Sequence, residues 1–532
     1  MKKVKKMHVL FTLCALLLVS VLFLEYSPAI LASTSHYLDA SSIAGDDAWK
    51  EWCDQWEDMA TDFTKVSIAP GKTEKELNFA WLSKDEGDAT PVVHFGKKDG
   101  EMESFSGETG KVDESLTNGE KYVYNHVTVT GIEENTDYVY TVEKNGVETE
   151  PVSFSSKSFS EVKMLLVGDP QVGASKGQPQ GDSDLVADDG VANTAARNDA
   201  YGWNRTLEIA GKEIPDLNFI ISAGDQVNKT GKAKEEEFAG YLSAAKLAGT
   251  PMAACIGNHD SLNPDFKYHF NVPNAMEKGM TEAGGDYYYS YGPGLFIVLN
   301  INNYNVAEHR EAIEEAVASY PDAAWRIVTI HQDIYGSGLD HSDSDGMILR
   351  TQLTPIFDEF KIDVVLQGHD HTYTRSHLLY GDGKTHGAYE FRLKEDGSGY
   401  DWDHAFNVES DEMIPFAPEE NDEAAKKLHD DFTADNNCYL MTEAKGETVM
   451  DAKGTLYITA NSASGSKYYE LIESQQDYIA ARSQNWLPSY SLMTMTDKSF
   501  SIESYQITDE GKVEEIDTLF TLEKSAKAEK AA

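Results

Sequence analysis

Apolar positions along this chain repeat at two periods, and the change of period divides it. Trp49, Trp52, Cys53, Trp56 and Met59 fall three or four residues apart, which predicts a short amphipathic helix within 33–62 packing on something later in the chain. From Lys65 the period becomes two: Leu77, Phe79 and Trp81 alternate, as do Val127 and Val129, and Tyr138, Tyr140 and Val142. Asn145-Gly146 is a two-residue hairpin turn, and Gly131 to Asn135 mark another. Short strands with this punctuation over 63–158 predict an all-β sandwich, a packing module without visible chemistry.

From Val162 strands alternate with helices. The apolar runs 164–167, 219–221, 253–256, 296–299, 327–330 and 364–366 read as buried strands, and helical spacing over 193–209, 233–248, 308–319 and 349–360 separates them. This predicts a layered α/β domain over 159–522, with its site at the carboxyl ends of the strands. The pattern lapses over 377–453, where 409–435 is strongly acidic; an insertion this long predicts a lid or rim over the cleft. Residues 456–459 read as a strand again, and 461–466 as a small-residue loop bordering the site. Alternation in Tyr490, Leu492 and Thr494 and in Phe500, Ile502 and Ser504 predicts strands closing the second sheet; 523–532 is expected to be a disordered charged tail.

The residues just past these strands carry the chemistry. In chain order the stretches are Gly168-Asp169-Pro170-Gln171, Gly224-Asp225-Gln226-Val227-Asn228, Gly257-Asn258-His259-Asp260, His331-Gln332 and Gly368-His369-Asp370-His371. Singly, Asp225 or Asn258 reads as a turn former and His331 as a satisfied core histidine. Five strand ends in register, each offering oxygen or imidazole donors, have a common cause in a metal site.

Lys plus Arg number 45 and Asp plus Glu 90, so the formal charge is 45 − 90 = −45, which argues against nucleic acid or an anionic lipid surface as partner. Lys2, Lys3, Lys5 and Lys6, an apolar run from Val9 to Leu24 and small residues up to Ser33 form an export signal over 1–32, placing the protein outside the cytoplasm, secreted or at the cell surface. The run is short of the roughly 20 residues of a membrane span, so stable membrane attachment requires an uncleaved anchor. Cys53, Cys255 and Cys438 make neither a disulfide framework nor a thiolate metal site. A Cys53–Cys438 bridge stays open, and Cys255 reads as a buried free thiol.

The order Asp…Gly-Asp…Gly-Asn-His-Asp…His…Gly-His-x-His resembles the calcineurin-like metallophosphoesterase superfamily. The segments 126–131 and 135–138 resemble the fibronectin type III-like domain that precedes the catalytic domain of purple acid phosphatases, and 368–375 resembles the same branch. Over 63–505 this resemblance implies a four-layer αββα catalytic domain behind the sandwich. It implies a metal-dependent phosphatase, exported if the signal over 1–32 acts, that hydrolyses small phosphate monoesters with a hydroxide generated at a dinuclear centre of manganese, iron or zinc. Asp169, Asp225 and His371 would hold one divalent ion; Asn258, His331 and His369 would hold the second, with Asp225 bridging. His259 would stabilise the transition state or protonate the leaving group. Asn258, His259 and Arg375 would meet the phosphate, although Arg375 also reads as half of a structural ion pair. His341 lines the cleft or is a solvated loop residue. Asn228 stands where purple acid phosphatases carry a tyrosine ligand to ferric iron, so no purple colour is expected. Other members place there an aspartate that orients the catalytic histidine. Gln171 stands where many members have a histidine ligand and is a candidate amide ligand. The rival activities are those of a phosphodiesterase or nucleotide hydrolase; a surface binding protein without catalysis is the rival from another class.

Overall fold

Every residue of Val162–Val167 except Lys163 is buried, because the strand lies between two cores. The computed structural model describes residues 33–34, 47–87, 90–175, 194–339, 341–342, 344–394, 400–401, 403–419, 421–444 and 447–525. Val162, Met164 and Leu166 face a second sheet, meeting Phe296, Val298, Leu366 and Ile458. Leu165 and Val167 face the other way, onto Trp203, Leu207, Phe238 and Tyr241 of the helices Thr194–Glu213 and Glu235–Leu242. The second sheet mirrors this. Leu295, Ile297, Val328, Val365 and Tyr457 pack outward on Ile313, Leu353 and Phe357 of the helices Val306–Ser319 and Arg350–Glu359. Period-two burial on both faces therefore builds four layers, helix, sheet, sheet, helix.

The first sheet has seven strands in the order Met252–Ala254, Phe219–Ser222, Val162–Val167, Ser489–Met495, Ser499–Ile507, Val513–Glu523 and Thr448–Met450. The strands at 489–523, expected in the second sheet, extend the first, because Ser489–Met495 pairs antiparallel with Val162–Val167. The second sheet begins with the hairpin Tyr287–Tyr291 and Gly294–Val298, then runs through Trp325–Thr329, Val364–Gln367, Thr455–Thr459, Tyr373–Gly381 and Tyr439–Thr442. Parallel register carries Leu165 beside Ile220 and Val328 beside Val365, so the carboxyl ends of these strands open on one edge.

The sandwich pairs a four-stranded sheet (Ser67–Pro70, Glu76–Lys84, Tyr122–Thr130, Glu108–Lys111) with a five-stranded one containing Asp137–Lys144 and Val92–Lys97. Phe79, Trp81, Val127, Val129, Tyr138, Tyr140 and Val142 fill its core. Asn145 and Gly146 both take positive φ, 51° and 73°, as that hairpin turn requires. The helix Asp47–Thr61 packs its tryptophans onto the first helical layer: Trp49 and Trp52 lie 4.9 and 5.9 Å from the Tyr201 ring of Thr194–Glu213.

The insertion is folded. A three-stranded sheet and the helix Glu423–Asp435, capped by Asp422, place Tyr389, Phe391, Ile414 and Phe432 in the outer core beside Leu353 and Phe357. Cys53, Cys255 and Cys438 are free thiols. Cys53 packs in the core under the first helical layer while Cys438 lies beside Tyr335 in the core under the other, so both sheets separate them. The last strand runs to Glu523, into the expected tail, whose remainder from 526 lies outside the described residues, as does the export signal. Among the described residues no helix is long and apolar enough to cross a membrane.

Candidate metal centre

The strand ends converge because their backbone turns sharply. Asp169, Gln171, Asp225, His369 and His371 all take positive φ, between 36° and 69°, which reverses the chain close to the end of each strand. Two glycines keep the centre open. A Cβ on Gly257 would strike the Asp225 carboxylate, and one on Gly224 would strike the His331 ring.

All the aspartate, asparagine and histidine candidates are brought together. The Asp169 carboxylate accepts the His369 backbone N–H at 3.0 and 3.1 Å and lies 3.7 Å from His371 Nε2. Asp225 Oδ2 lies 3.4 Å from His331 Nε2, and its Oδ1 accepts the His259 backbone N–H at 2.9 Å. His331 Nε2 is also 2.9 Å from Asn258 Oδ1 and 3.2 Å from His369 Nδ1. Acid and imidazole donor atoms of Asp169, Asp225 and His331 lie within 4.8 Å of one another.

The second partners of the rings fix which nitrogens face the centre. His331 Nδ1 donates to the Ala223 carbonyl at 2.9 Å and His371 Nδ1 to the Lys467 carbonyl at 2.8 Å, so both point Nε2 inward. His369 Nε2 faces Asp345 at 3.1 Å, leaving Nδ1 inward. Ring nitrogens of His331 and His369 and oxygens of Asn258 and Asp225 thus converge on one volume, where a bound cation would take the place of the proton that His331 Nε2 shares with these oxygens. Gln171 adds a buried side-chain oxygen without a hydrogen-bond partner, and its backbone N–H is held by the Asp225 carbonyl at 2.8 Å. Buried, mixed oxygen and nitrogen donors fit manganese, iron or zinc.

Electrostatics carry the same message. Burial, aided by the Asp225 charge, pushes Asp169 up to about 8. Asp225 is equally buried, but the histidines around it, His331 foremost, hold it far below the usual carboxylate range. Burial opposes charge on His331, yet Asp225 outweighs it and raises the ring to about 9, whereas burial and His341 depress His369 to about 3.

His259 sits at the rim, half-buried. Its Nδ1 faces the Asn228 carbonyl and lies 3.1 Å from Thr230 Oγ1, and Lys234 Nζ holds its carbonyl at 2.7 Å. A backbone carbonyl thus occupies the place of the missing orienting carboxylate. Arg375 is placed elsewhere: Asp517 takes its guanidinium through two contacts, 2.6 and 3.1 Å, and Phe520 lies beneath it at 4.5 Å.

The pattern of strand ends gives no hint of Asp345, which lies on a short 3₁₀ turn, Asp345–Leu349. Its two oxygens accept from His341 Nδ1 at 2.8 Å and His369 Nε2 at 3.1 Å, and the two rings lie 4.0 Å apart, tilted by 39°. The one available signal is an acid four residues after a histidine. Asp370, between the paired histidines, holds this loop by accepting from Ser337 N and Ser342 Oγ, each at 2.8 Å. Asp345→Asn presents an N–H₂ to one imidazole and frees His369 to rotate. Metal affinity or turnover is expected to fall about 10–100-fold, read by metal analysis and kcat; an unchanged variant would remove Asp345 from the centre.

Residues 162–373 match the calcineurin-like phosphoesterase family, and residues 63–158 match the purple acid phosphatase N-terminal domain. Uncharacterized protein Rv2577 of Mycobacterium tuberculosis is 22% identical over 301 residues, 52% of this chain and 54% of that protein. Purple acid phosphatase 23 of Arabidopsis thaliana is 23% identical over 322 residues, 56% of this chain and 64% of its own length. The chain thus matches about half to two thirds of the length of these curated relatives. The solved structure of purple acid phosphatase PPD1 from yellow lupin seeds superposes with a TM-score of 0.57 at 15% identity, covering 87% of this chain and 75% of that one, a likeness of fold.

Proposed function

With a purple acid phosphatase N-terminal domain and a calcineurin-like phosphoesterase domain joined in one chain, we propose that this protein is an exported phosphatase cleaving small phosphate monoesters at a dinuclear metal centre. The observation that carries the reading is the convergence of His331 Nε2 with Asn258 Oδ1, His369 Nδ1 and Asp225 Oδ2 at 2.9–3.4 Å. Two ions there would lower the pKa of a shared water and neutralise phosphoryl oxygens. Asp169, Asp225 and His371 would hold one and Asn258, His331 and His369 the other, with Asp225 between them and Gln171 as an additional oxygen donor.

The chain's own residues do the rest. Asp225 fixes the backbone of the His259 loop, and the Asn228 carbonyl orients the ring so that its Nε2 faces the cleft 4.0 Å from Asp225 Oδ2. From there Nε2 passes a proton to the departing alkoxide. Burial, and the charge of Lys467, lower the His259 pKa, which favours that transfer on the acid side of neutrality. The strongly acidic chain disfavours nucleic acid as substrate, and export rests on the basic and apolar residues at 2–24.

Purified protein is expected to hold two equivalents of manganese, iron or zinc and to cleave 4-nitrophenyl phosphate faster than bis(4-nitrophenyl) phosphate. A chelator should abolish both activities and one of those metals restore them. Preference for the diester would move the assignment to a phosphodiesterase; bound metal without hydrolysis of either ester would favour a binding protein.

A further inference from the structure

A phosphate monoester approaches this protein against a formal charge of −45, so its capture calls for local positive charge at the cleft. Arg375, the cation expected there, is bound by Asp517. Lys467 is a cation that the fold brings to the centre, and unlike Lys234 it is not committed to the His259 carbonyl. It follows Thr455–Thr459, a strand whose carboxyl end opens on the site edge, and its carbonyl accepts from His371 Nδ1 at 2.8 Å, tying its backbone to a ligand ring. Its ammonium stands over the Tyr469 ring, 4.5 Å from the centroid. That ring meets His341 edge-on at 4.7 Å and His371 at 5.5 Å, so lysine, tyrosine and both histidines form one wall of the cleft.

The Lys467 side chain is half-buried, yet no carboxylate among the described residues lies within ion-pair distance of it. In a chain with 90 acidic and 45 basic residues, a partly desolvated lysine without an acid beside it is poised for an anionic ligand.

We propose that Lys467, seated on Tyr469, grips the non-bridging oxygens of the substrate phosphate and thereby selects dianionic monoesters over monoanionic diesters. This rests on the phosphoesterase reading above. A phosphate monoester carries close to two negative charges at pH 7, whereas a diester carries one, so a cation outside the metal pair favours the monoester. The ammonium is a compact point charge on a flexible stem, suited to either approach of the phosphate.

The test compares wild type, Lys467→Gln and Lys467→Arg on 4-nitrophenyl phosphate and bis(4-nitrophenyl) phosphate, with inorganic phosphate as inhibitor and metal content measured alongside. Lys467→Gln is expected to raise the monoester KM and the phosphate inhibition constant about tenfold, the scale of one charge-assisted hydrogen bond. Diester turnover should fall less, metal content should hold, and Lys467→Arg should recover most of the loss. Unchanged monoester KM in Lys467→Gln, or equal losses on both esters, would overturn the role of Lys467 while leaving the phosphoesterase standing. A metal-loaded wild type that hydrolyses neither ester would instead overturn the phosphoesterase reading, and this inference with it.

Discussion

Asp225→Ala is expected to lower kcat/KM for a phosphate monoester by at least about a thousandfold, the scale on which loss of a preorganised charge-stabilising group acts. Three functions leave with one carboxylate. Its Oδ2 is the negative charge nearest His331 Nε2 at 3.4 Å, and its Oδ1 holds the His259 backbone N–H at 2.9 Å. In the dinuclear reading it is also the bridge between the ions. The fold should survive, because the strand Phe219–Ser222 is anchored by Phe219 and Ile221 in the intersheet core and by Ile220 in the helix-facing core. The measurement is kcat/KM with metal stoichiometry and far-ultraviolet circular dichroism on one preparation. A native spectrum with depleted metal and lost turnover is the expected set; near wild-type turnover would dissolve the assignment of the whole centre.

Asp286→Ala should produce the largest loss of stability, away from the centre. Asp286 Oδ2 accepts from His309 Nδ1 at 2.8 Å, and the other ring nitrogen faces the Asn303 carbonyl at 2.7 Å. Both nitrogens face acceptors, and both side chains are fully buried, so the ring is an imidazolium pinning the helix Val306–Ser319 to the loop before Tyr287. Removing the carboxylate strands a buried charge and the backbone N–H of Asn300 that it also accepts, at 2.8 Å, a loss of about 3–5 kcal/mol. For a catalytic domain of this size that corresponds to a Tm lower by roughly 5 °C. Burial alone would depress His309, but Asp286 outweighs it and the pKa is raised above 6.5. A group raised in the folded state contributes fully below its unfolded pKa and loses that contribution as pH climbs through the folded value. The gap in Tm between wild type and variant should therefore be widest near pH 6 and shrink toward pH 9. A gap that is constant or grows with pH would refute the charged pair.

Most of this candidate centre can be read from the chain because residue types able to ligate a metal recur just past the strand ends. Asp169, Asp225, Asn258, His331, His369 and His371 each come just after an apolar run, and the runs are plain because both sheets are buried on two faces. The hairpin strand Tyr287–Tyr291 escapes the pattern because its tyrosines stack within the intersheet core while reading as semi-polar. Alternation puts the last strands in the wrong sheet because periodicity reports which residues face inward and carries nothing about which neighbour a strand pairs with. Asp345 and Lys467 are invisible for a different reason. They reach the centre on long loops whose path is set by Asp370 and by the His371–Lys467 contact, and no local pattern encodes where such a loop returns.

The left-handed backbone at Asp169, Gln171, Asp225, His369 and His371 limits how this centre can diversify. Glycine, asparagine, aspartate and histidine adopt that conformation most readily, so β-branched substitutes there would cost about 1–3 kcal/mol of backbone strain each. Asn258 and His331 lie outside the positive-φ set, and retuning of metal preference by selection has its widest freedom at those two positions.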